Sequence, residues 1–329
     1  MKKKYNHLTL EQRSNIEALL KANVSKKEIA HVLGISESTL YREIKRNSKP
    51  RSYNSKYAQL LGDERLKDRH LKNKLTMDME RYIQRKLKLY WSPEQIVGRA
   101  NSEGLPMLSV PSIYKHIALD KSNGGDLYKY LRTSNMRYKK QYGSTDKRGQ
   151  IPDKINISER PKEVDNRTRI GDFEIDLIIG KNHKGAQLTI VDRMSGFTLI
   201  HTLKSKKAEE VSKAVIISLK PYKNIVKTIT NDNGKEFALH KRLAKQLKAD
   251  VFFCNPYASY EKGQVENTNK LIRQFYPKKM ELDNIKQKQN IEIMELLNKR
   301  PRKKLGYKTP EEIFFTNLGI ENRRLALAS

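Results

Sequence analysis

The chain has 329 residues, 37% of them apolar, and its 67 Lys+Arg against 37 Asp+Glu give a formal charge of +30. That length can bury more than one core, and a surface so basic is expected to meet a polyanion, with nucleic acid fitting better than an anionic membrane surface. Cys254 is the only cysteine, which excludes an intrachain disulfide, and no apolar run is long enough for a membrane span or a secretory leader; the expectation is a cytoplasmic, nucleoid-associated protein.

In chain order, the first three predicted elements are helices. Thr9 with Gln12 and Ser25 with Glu28 form capping-box pairs, and Ser36 starts a third helix with Thr39 close behind. Leu10, Ile16, Leu19 and Leu20, then Ile29 and Leu33, then Leu40 and Ile44 mark one apolar stripe per helix. Gly34 supplies the turn between the last two, which makes a helix-turn-helix pattern. With Ile35, Leu40 and Ile44 turned inward, the third helix presents Glu37, Ser38, Thr39, Tyr41, Arg42 and Lys45. All but Glu37 are candidate DNA contacts.

A looser version follows in "YWSPEQIVGRANSEGLPMLSVPSIYKHI", where Ser92 caps, Pro93 takes the first helical position and Ser109 caps a second helix. Ile113, Ile117 and Tyr114 are expected to pack that second helix. Ser112, Lys115 and His116 would then face outward, Lys115 as a candidate DNA contact and His116 as a surface residue rather than a metal ligand. The polar, basic stretch that follows reads as a linker lying along DNA.

From residue 171 the period changes to that of strands. "GDFEIDLIIG" puts Phe173, Ile175 and Leu177 on one face and Asp172, Glu174 and Asp176 on the other. "QLTIVDRMSGFTLIHTL" then reads as two strands around a turn, followed by a helix ("SKKAEEVSKAVIISLK"), a strand ("VKTITND"), a helix ("GKEFALHKRLAKQLK"), a strand ("DVFFC") and a last helix around "GQVENTNKLIRQ". Three antiparallel strands followed by alternating helices and strands describe an α/β layer fold with a mixed sheet.

Three carboxylates occupy this frame: Asp176 in the first strand, Asp232 ending a later one, and Glu266 on the last helix, with 33 residues between the second and the third. Separated carboxylates on rigid elements suit Mg²⁺ or Mn²⁺, and two ions there can activate a hydroxyl and stabilise the leaving oxygen of a phosphodiester. Lys262, Lys270 and Arg273 surround the glutamate, the last two within about 40° of it around the helix axis, and are candidate phosphate contacts. An i,i+4 ion pair between Glu266 and Lys270 is the simpler account of that helix taken alone. Asn233 and Asn267 adjoin the acids and are either substrate contacts or solvated polar residues. Tyr257 and Tyr260 read as aromatic packing. His183, His201 and His240 have no zinc-like spacing.

At these residues the sequence resembles the DDE-type transposases of bacterial insertion sequences, specifically the family numbered thirty. "GDFEIDLIIG" looks like that family's Gly-Asp-Trp-Glu-Gly-Asp-Leu segment, and "TNDNGKEF" and "GQVENTNKLIRQFYPKK" like its second and third acidic segments. "LNKRPRKKLGYKTPEEIF" and the N-terminal helices extend the likeness over nearly the whole chain. The resemblance implies a ribonuclease H-like catalytic core. It selects Asp176, from among the face-sharing Asp172, Glu174 and Asp176 and the neighbouring Asp192, as the first of three acids that would be both catalytic and metal-binding, with Asp232 and Glu266, and Arg273 as their basic companion. It also implies double-stranded DNA as partner, both terminal inverted repeats and target. The activity implied is repeat-end cleavage followed by attack of the freed 3′-hydroxyl, in a homo-oligomer that synapses the ends. Phe173 and Ile175 depart from the family's tryptophan and glycine, which touches substrate positioning rather than chemistry.

The expected layout is a helix-turn-helix domain at 1–50, a second helical DNA-binding region at 51–120, a basic linker at 121–165, the catalytic core at 166–290 and a basic segment with a packing helix at 291–329. In that last segment Thr309 caps the helix, and the six cations of "NKRPRKKLGYK" are expected on DNA backbone. Two rival readings are a DNA-binding regulator whose core is silent and a metal-dependent nuclease of the same fold without strand transfer.

Overall fold

The computed structural model describes residues 7–49, 52–71, 75–132, 151–255 and 258–319. These divide into two compact units, one ending at Met77 and the other starting at Asp78.

The first unit holds α1 (Leu10–Lys21), α2 (Lys26–Val32), α3 (Glu37–Asn47), a short hairpin of β1 (Ser48–Lys49) and β2 (Ser52–Tyr53), and α4 (Ser55–Leu71). The Thr9–Gln12 and Ser25–Glu28 capping boxes both form, and Ser36 accepts from the Thr39 N–H. Gly34 takes a left-handed φ of 63° between α2 and α3. Ile16, Ile29 and Leu40 are fully buried with Ala58 of α4, so the first unit extends past residue 50. Leu10, expected in the stripe, is exposed, because it sits in the first turn of α1, ahead of the packed face. Arg13, by contrast, is buried and ties three helices together: its guanidinium donates to Glu43 at 2.8 Å, to Gln59 at 2.5 Å and to the Leu8 carbonyl at 2.8 Å.

The second unit opens with α5 (Met77–Lys88, reaching back to the boundary), α6 (Pro93–Ser102) and α7 (Val110–Ser122). Ser92 and Ser109 cap α6 and α7 as their sequences predict, and Ile83, Leu87, Ile96, Ile113 and Ile117 are buried. Two expectations on α7 are corrected. His116 is buried, 3.8 Å from Glu80 on α5, while Tyr114 is exposed, because α5 packs against the face of α7 that carries residues 113, 116 and 117. α6 is fastened to the C-terminal helix α13 (Pro310–Asn317) by a bidentate pair, Arg99 to Glu312 at 2.8 and 2.9 Å, and Gly98 allows the Tyr307 ring to close on the helix where a Cβ would collide at 2.1 Å.

The mixed sheet carries β3 (Ile155–Asn156), β4 (Asp172–Ile179), β5 (Ala186–Asp192), β6 (Thr198–Leu203), β7 (Thr228–Asn231) and β8 (Asp250–Phe253) in the order β3-β8-β7-β4-β5-β6. β4, β5 and β6 are antiparallel, and β7, β8 and β3 run parallel to β4. That is the ribonuclease H-like arrangement, preceded by a helix-turn-helix domain, as the fold class read from the sequence has it. β3 and all but the last residue of α8 (Lys162–Asn166) fall within the stretch read as linker; β3 extends the sheet as an edge strand. Residues 133–150 of that stretch lie outside the described residues, as does Tyr257.

Helices cover both faces of the sheet. Phe173, Ile175, Leu188 and Ile190 pack with α9 (Ala208–Leu219), α10 (His240–Leu247) and Phe314 and Phe315 of α13. On the other face Ile178 and Ile200 meet α11 (Gly263–Ile272) and α12 (Gln287–Asn298). β4 is therefore buried on both sides, and its polar face lies under α11 instead of in water. Cys254 is buried, and burial pushes its thiol up to about 12. Among the described residues no helix is long and apolar enough to cross a membrane.

Candidate active site

The parallel pairing of β4 with β7 sets Glu174 beside Thr230. Carried two residues further, the same register brings Asp176 beside Asp232, because parallel strands advance together. Asp232 closes a tight turn in which its Oδ1 accepts from the Gly234 N–H at 3.1 Å.

α11 is seated over this pair by a buried anchor. Glu174, fully buried, accepts from the Val265 N–H at 2.8 Å and from the Arg193 guanidinium at 2.5 Å, so a charged carboxylate holds the first turn of the helix by its free N–H. The Lys262 ammonium then reaches between the aspartates: it donates to Asp176 Oδ1 at 3.2 Å and to the Ile175 carbonyl at 3.3 Å, and lies 3.7 Å from Asp232 Oδ2. Asn269 donates to the second Asp176 oxygen at 2.7 Å. Burial pushes the Asp176 carboxyl up, opposed by Lys262 and reinforced by Asp232. For Lys262 burial works against the charge, but the two carboxylates outweigh it and hold the ammonium above its ordinary range.

Glu266 stands one turn beyond Lys262 on the same side of α11 and is half-buried. Among the described residues no three carboxylate, histidine or cysteine side chains draw together as a metal cage; the cation between Asp176 and Asp232 is a lysine. By chemistry the pair suits a divalent cation. Its donors are hard oxygens, it already attracts and holds a positive charge, and the buried Asn269 Oδ1 beside it is unpartnered among the described residues.

The other acids weighed beside Asp176 are engaged in structure. Asp172 pairs with Arg169 at 3.0 Å and accepts from Thr228 at 2.8 Å. Asp192 caps the β5–β6 turn, accepting from the Ser195 N–H at 2.8 Å, its hydroxyl at 2.6 Å and the Gly171 N–H at 2.9 Å. Asn233 likewise serves the fold, donating to the Cys254 carbonyl at 2.6 Å, while Asn267 is exposed.

Of the expected phosphate contacts, Lys270 is exposed, but Lys262 is buried against the acids and Arg273 is half-buried with its guanidinium 2.9 Å from the Ile179 carbonyl. Ser38, Tyr41, Arg42 and Lys45 are exposed on α3, and Lys115 on α7, whereas the Thr39 hydroxyl is 2.8 Å from the capping Ser36. Arg42 folds back on Ser38 at 2.9 and 3.2 Å. Sequence reasoning missed Asn269 and the Glu174–Arg193 anchor. The signals for them were the i,i+3 spacing of Asn269 from Glu266 and the strict alternation of Glu174 with Asp176.

Residues 4–47 match the helix-turn-helix domain family. The chain is 48% identical over 310 residues to the transposase for insertion sequence element IS4351 of Bacteroides fragilis, covering 94% of this chain and 95% of that one. The chain belongs to the insertion-sequence transposases. Within that family the transposase InsI for element IS30A of Escherichia coli (strain K12) is 32% identical over 320 residues, covering 93% and 83% of the two chains. The transposase for element IS1086 of Cupriavidus metallidurans (strain ATCC 43123 / DSM 2839 / NBRC 102507 / CH34) is 32% identical over 333 residues, with 98% of each chain covered. A solved catalytic core domain of BIV integrase aligns with a TM-score of 0.35 at 21% identity, over 45% of this transposase and 96% of that chain. Membership of that family makes the chain an enzyme, a transposase with a helix-turn-helix domain at its N-terminal end.

Proposed function

We propose that Asp176, Asp232 and Glu266 are the catalytic acids, that they hold divalent Mg²⁺ or Mn²⁺, two ions per site, and that the enzyme cuts at terminal inverted repeats and joins the freed 3′-hydroxyl to target DNA. The observation that carries this reading is the Lys262 ammonium held between Asp176 and Asp232, two carboxylates from neighbouring strands that converge on one cation. Two negative charges and one positive leave the cluster short of a charge, in a place where water screens poorly.

Divalent ions bound there would activate the attacking hydroxyl and stabilise charge on the scissile phosphodiester. The chain's own residues do the rest. Asn269 fixes the Asp176 carboxylate through one oxygen, and the Glu174–Arg193 anchor holds α11, and with it Glu266, over the strands. An open groove of about 530 Å³, lined by Lys206, Lys207 and Lys235, runs up to Asp232 and gives a phosphate chain a cationic approach to the acids. Ser38, Tyr41 and Arg42 of α3 read the repeat ends, with Lys45, Lys115, Lys270 and Arg273 along the backbone. The working form is a homo-oligomer that synapses two ends on the nucleoid; of the five-part layout expected from the sequence, the first domain is carried on to Met77 and the edge strand β3 is counted with the core.

The test is cleavage and joining of labelled DNA carrying the element's terminal repeat, with Mg²⁺ or Mn²⁺, for wild type and Glu266→Gln, with binding measured in parallel. Wild type should nick the repeat end and join it to a second DNA while the variant only binds. If both bind and neither cuts in any divalent ion, the chain is a DNA-binding regulator with a silent core; nicking without joining makes it a nuclease.

A further inference from the structure

The side of α11 turned away from the acids borders a second site. Gln264, Asn267, Thr268 and Leu271 recur at helical spacing, half a turn from Glu266, and line a cavity of about 380 Å³. That size falls within the range of about 300–1,000 Å³ typical of small-ligand sites. Its far wall is the basic segment after α12, together with Tyr90, Tyr130 and Arg132.

The deepest cation is Arg300, only 3% exposed, and its Nε and one terminal nitrogen have no hydrogen-bond partner among the described residues. Among the described residues no carboxylate pairs with it. Glu94, the one acid on the cavity wall, is paired at the rim with Lys303 at 2.8 Å, and Lys304 donates to Gln264 at 2.6 Å. Burial pushes the Arg300 guanidinium down to about 9, with Arg302 and Arg132 adding repulsion. A buried charge with neither a counter-ion nor a full set of hydrogen bonds is strongly disfavoured, so its place in this cavity points to an anion it meets in use. The planar guanidinium fork matches phosphate, and Tyr90 and Tyr130 stand edge to face at 5.5 Å on the wall, an apolar surface for a base. A duplex keeps its bases stacked inside, so it cannot lay a base against these tyrosines. A basic cleft with aromatic walls suits an unpaired strand.

We propose that this cavity receives an unpaired DNA strand end, with a backbone phosphate on Arg300 and Arg302 and a base against Tyr90 and Tyr130, on the side of α11 turned away from the acids. It deepens the DNA-processing reading given above but does not depend on which residues cut.

The test uses the full chain without divalent metal, so a failed active-site assignment leaves it untouched. Labelled (dT)8, a hairpin-capped duplex without free ends, and inorganic phosphate are the probes, on wild type, Arg300→Met and Arg300→Lys. Arg300→Met should lose about tenfold or more in (dT)8 affinity and less than about twofold for the capped duplex. Its melting temperature should rise in phosphate-free buffer, since an uncompensated buried charge is gone, and inorganic phosphate should stabilise wild type but not the variant. Arg300→Lys keeps the charge without the fork and should weaken (dT)8 several-fold without lowering the melting temperature; if Arg300→Met does not fold, this variant carries the comparison. Unchanged (dT)8 affinity in the variants, or equal loss for both DNAs, overturns the proposal. A response to inorganic phosphate with unchanged (dT)8 affinity reassigns the cavity to free phosphate and also overturns it.

Discussion

On one side of α11 a buried ammonium lies between two carboxylates; on the other a buried guanidinium faces none among the described residues. Both Lys262 and Arg300 are almost wholly out of water, yet Lys262 is held above its ordinary range by Asp176 and Asp232, while Arg300 is pushed below its own. In water the two cations would differ little; what separates them is the charge within a few ångströms. A paired buried cation is structure that a stronger cation can replace. An unpaired one is a vacancy for an anion. The contrast gives opposite signs for the two deletions, and that is the sharpest way to break it.

Lys262→Met removes one partner of a buried cluster and leaves Asp176 and Asp232 facing each other. The metal-free protein should lose stability toward the lower end of the about 3–5 kcal/mol typical of such deletions, because the two aspartates are partly exposed. Its affinity for Mn²⁺, read by titration calorimetry, should rise by about tenfold, since no ammonium competes, and saturating Mn²⁺ should restore much of the melting temperature. A variant that is destabilised and also binds Mn²⁺ more weakly would mean that Lys262 positions the acids and does not stand in for a metal.

Asp192 is a third case, a buried charge held by N–H and O–H dipoles without a cation. Burial pushes its carboxyl up to about 6, opposed by the Ser195 and Gly171 donors, with Asp172 adding repulsion. Its folded pKa is thus raised above the unfolded value of 3.8. The stability it contributes is present below that value and is lost as pH rises through about 6, by up to roughly 3 kcal/mol at 1.36 kcal/mol per unit. Melting temperatures of wild type and Asp192→Asn between pH 4 and 6.5 check this: the variant should gain on wild type as pH rises. A flat difference would show that the dipoles alone keep Asp192 ionised.

What could be read in the sequence follows from range. Capping boxes, the Gly34 turn and the burial of Ile16, Ile29 and Leu40 are local consequences of spacing, so the helix-turn-helix was legible, and the strand-helix order of the core was legible from its changing period. The environment of each charge was not. Lys262 lies 86 residues from Asp176, and the register of β4 with β7 together with the seat of α11 decides that it meets carboxylates and not DNA. Arg300 sits in a run expected on DNA backbone, and the packing of α6, α11 and Tyr90 around it is what removes it from water. His116 was misjudged for the same reason, since its burial depends on α5, whose Glu80 is 36 residues away.

Lys45 on α3 sharpens the comparison from the solvated end. It is exposed, and among the described residues no carboxylate pairs with it, so it carries neither a desolvation cost nor a structural bond. Lys45→Ala should leave the melting temperature within about 0.5 kcal/mol of wild type in stability. If it neutralises one phosphate, log affinity for duplex DNA should fall less steeply with log salt by about 0.9, and by the same amount on the terminal repeat as on unrelated sequence, because a phosphate contact carries no base information. An unchanged salt slope would show that Lys45 faces away from the duplex. A slope change confined to the repeat would instead tie its contact to the register that base reading by α3 imposes, and would set Lys45 apart from a simple surface charge, although both reside on the same solvated face.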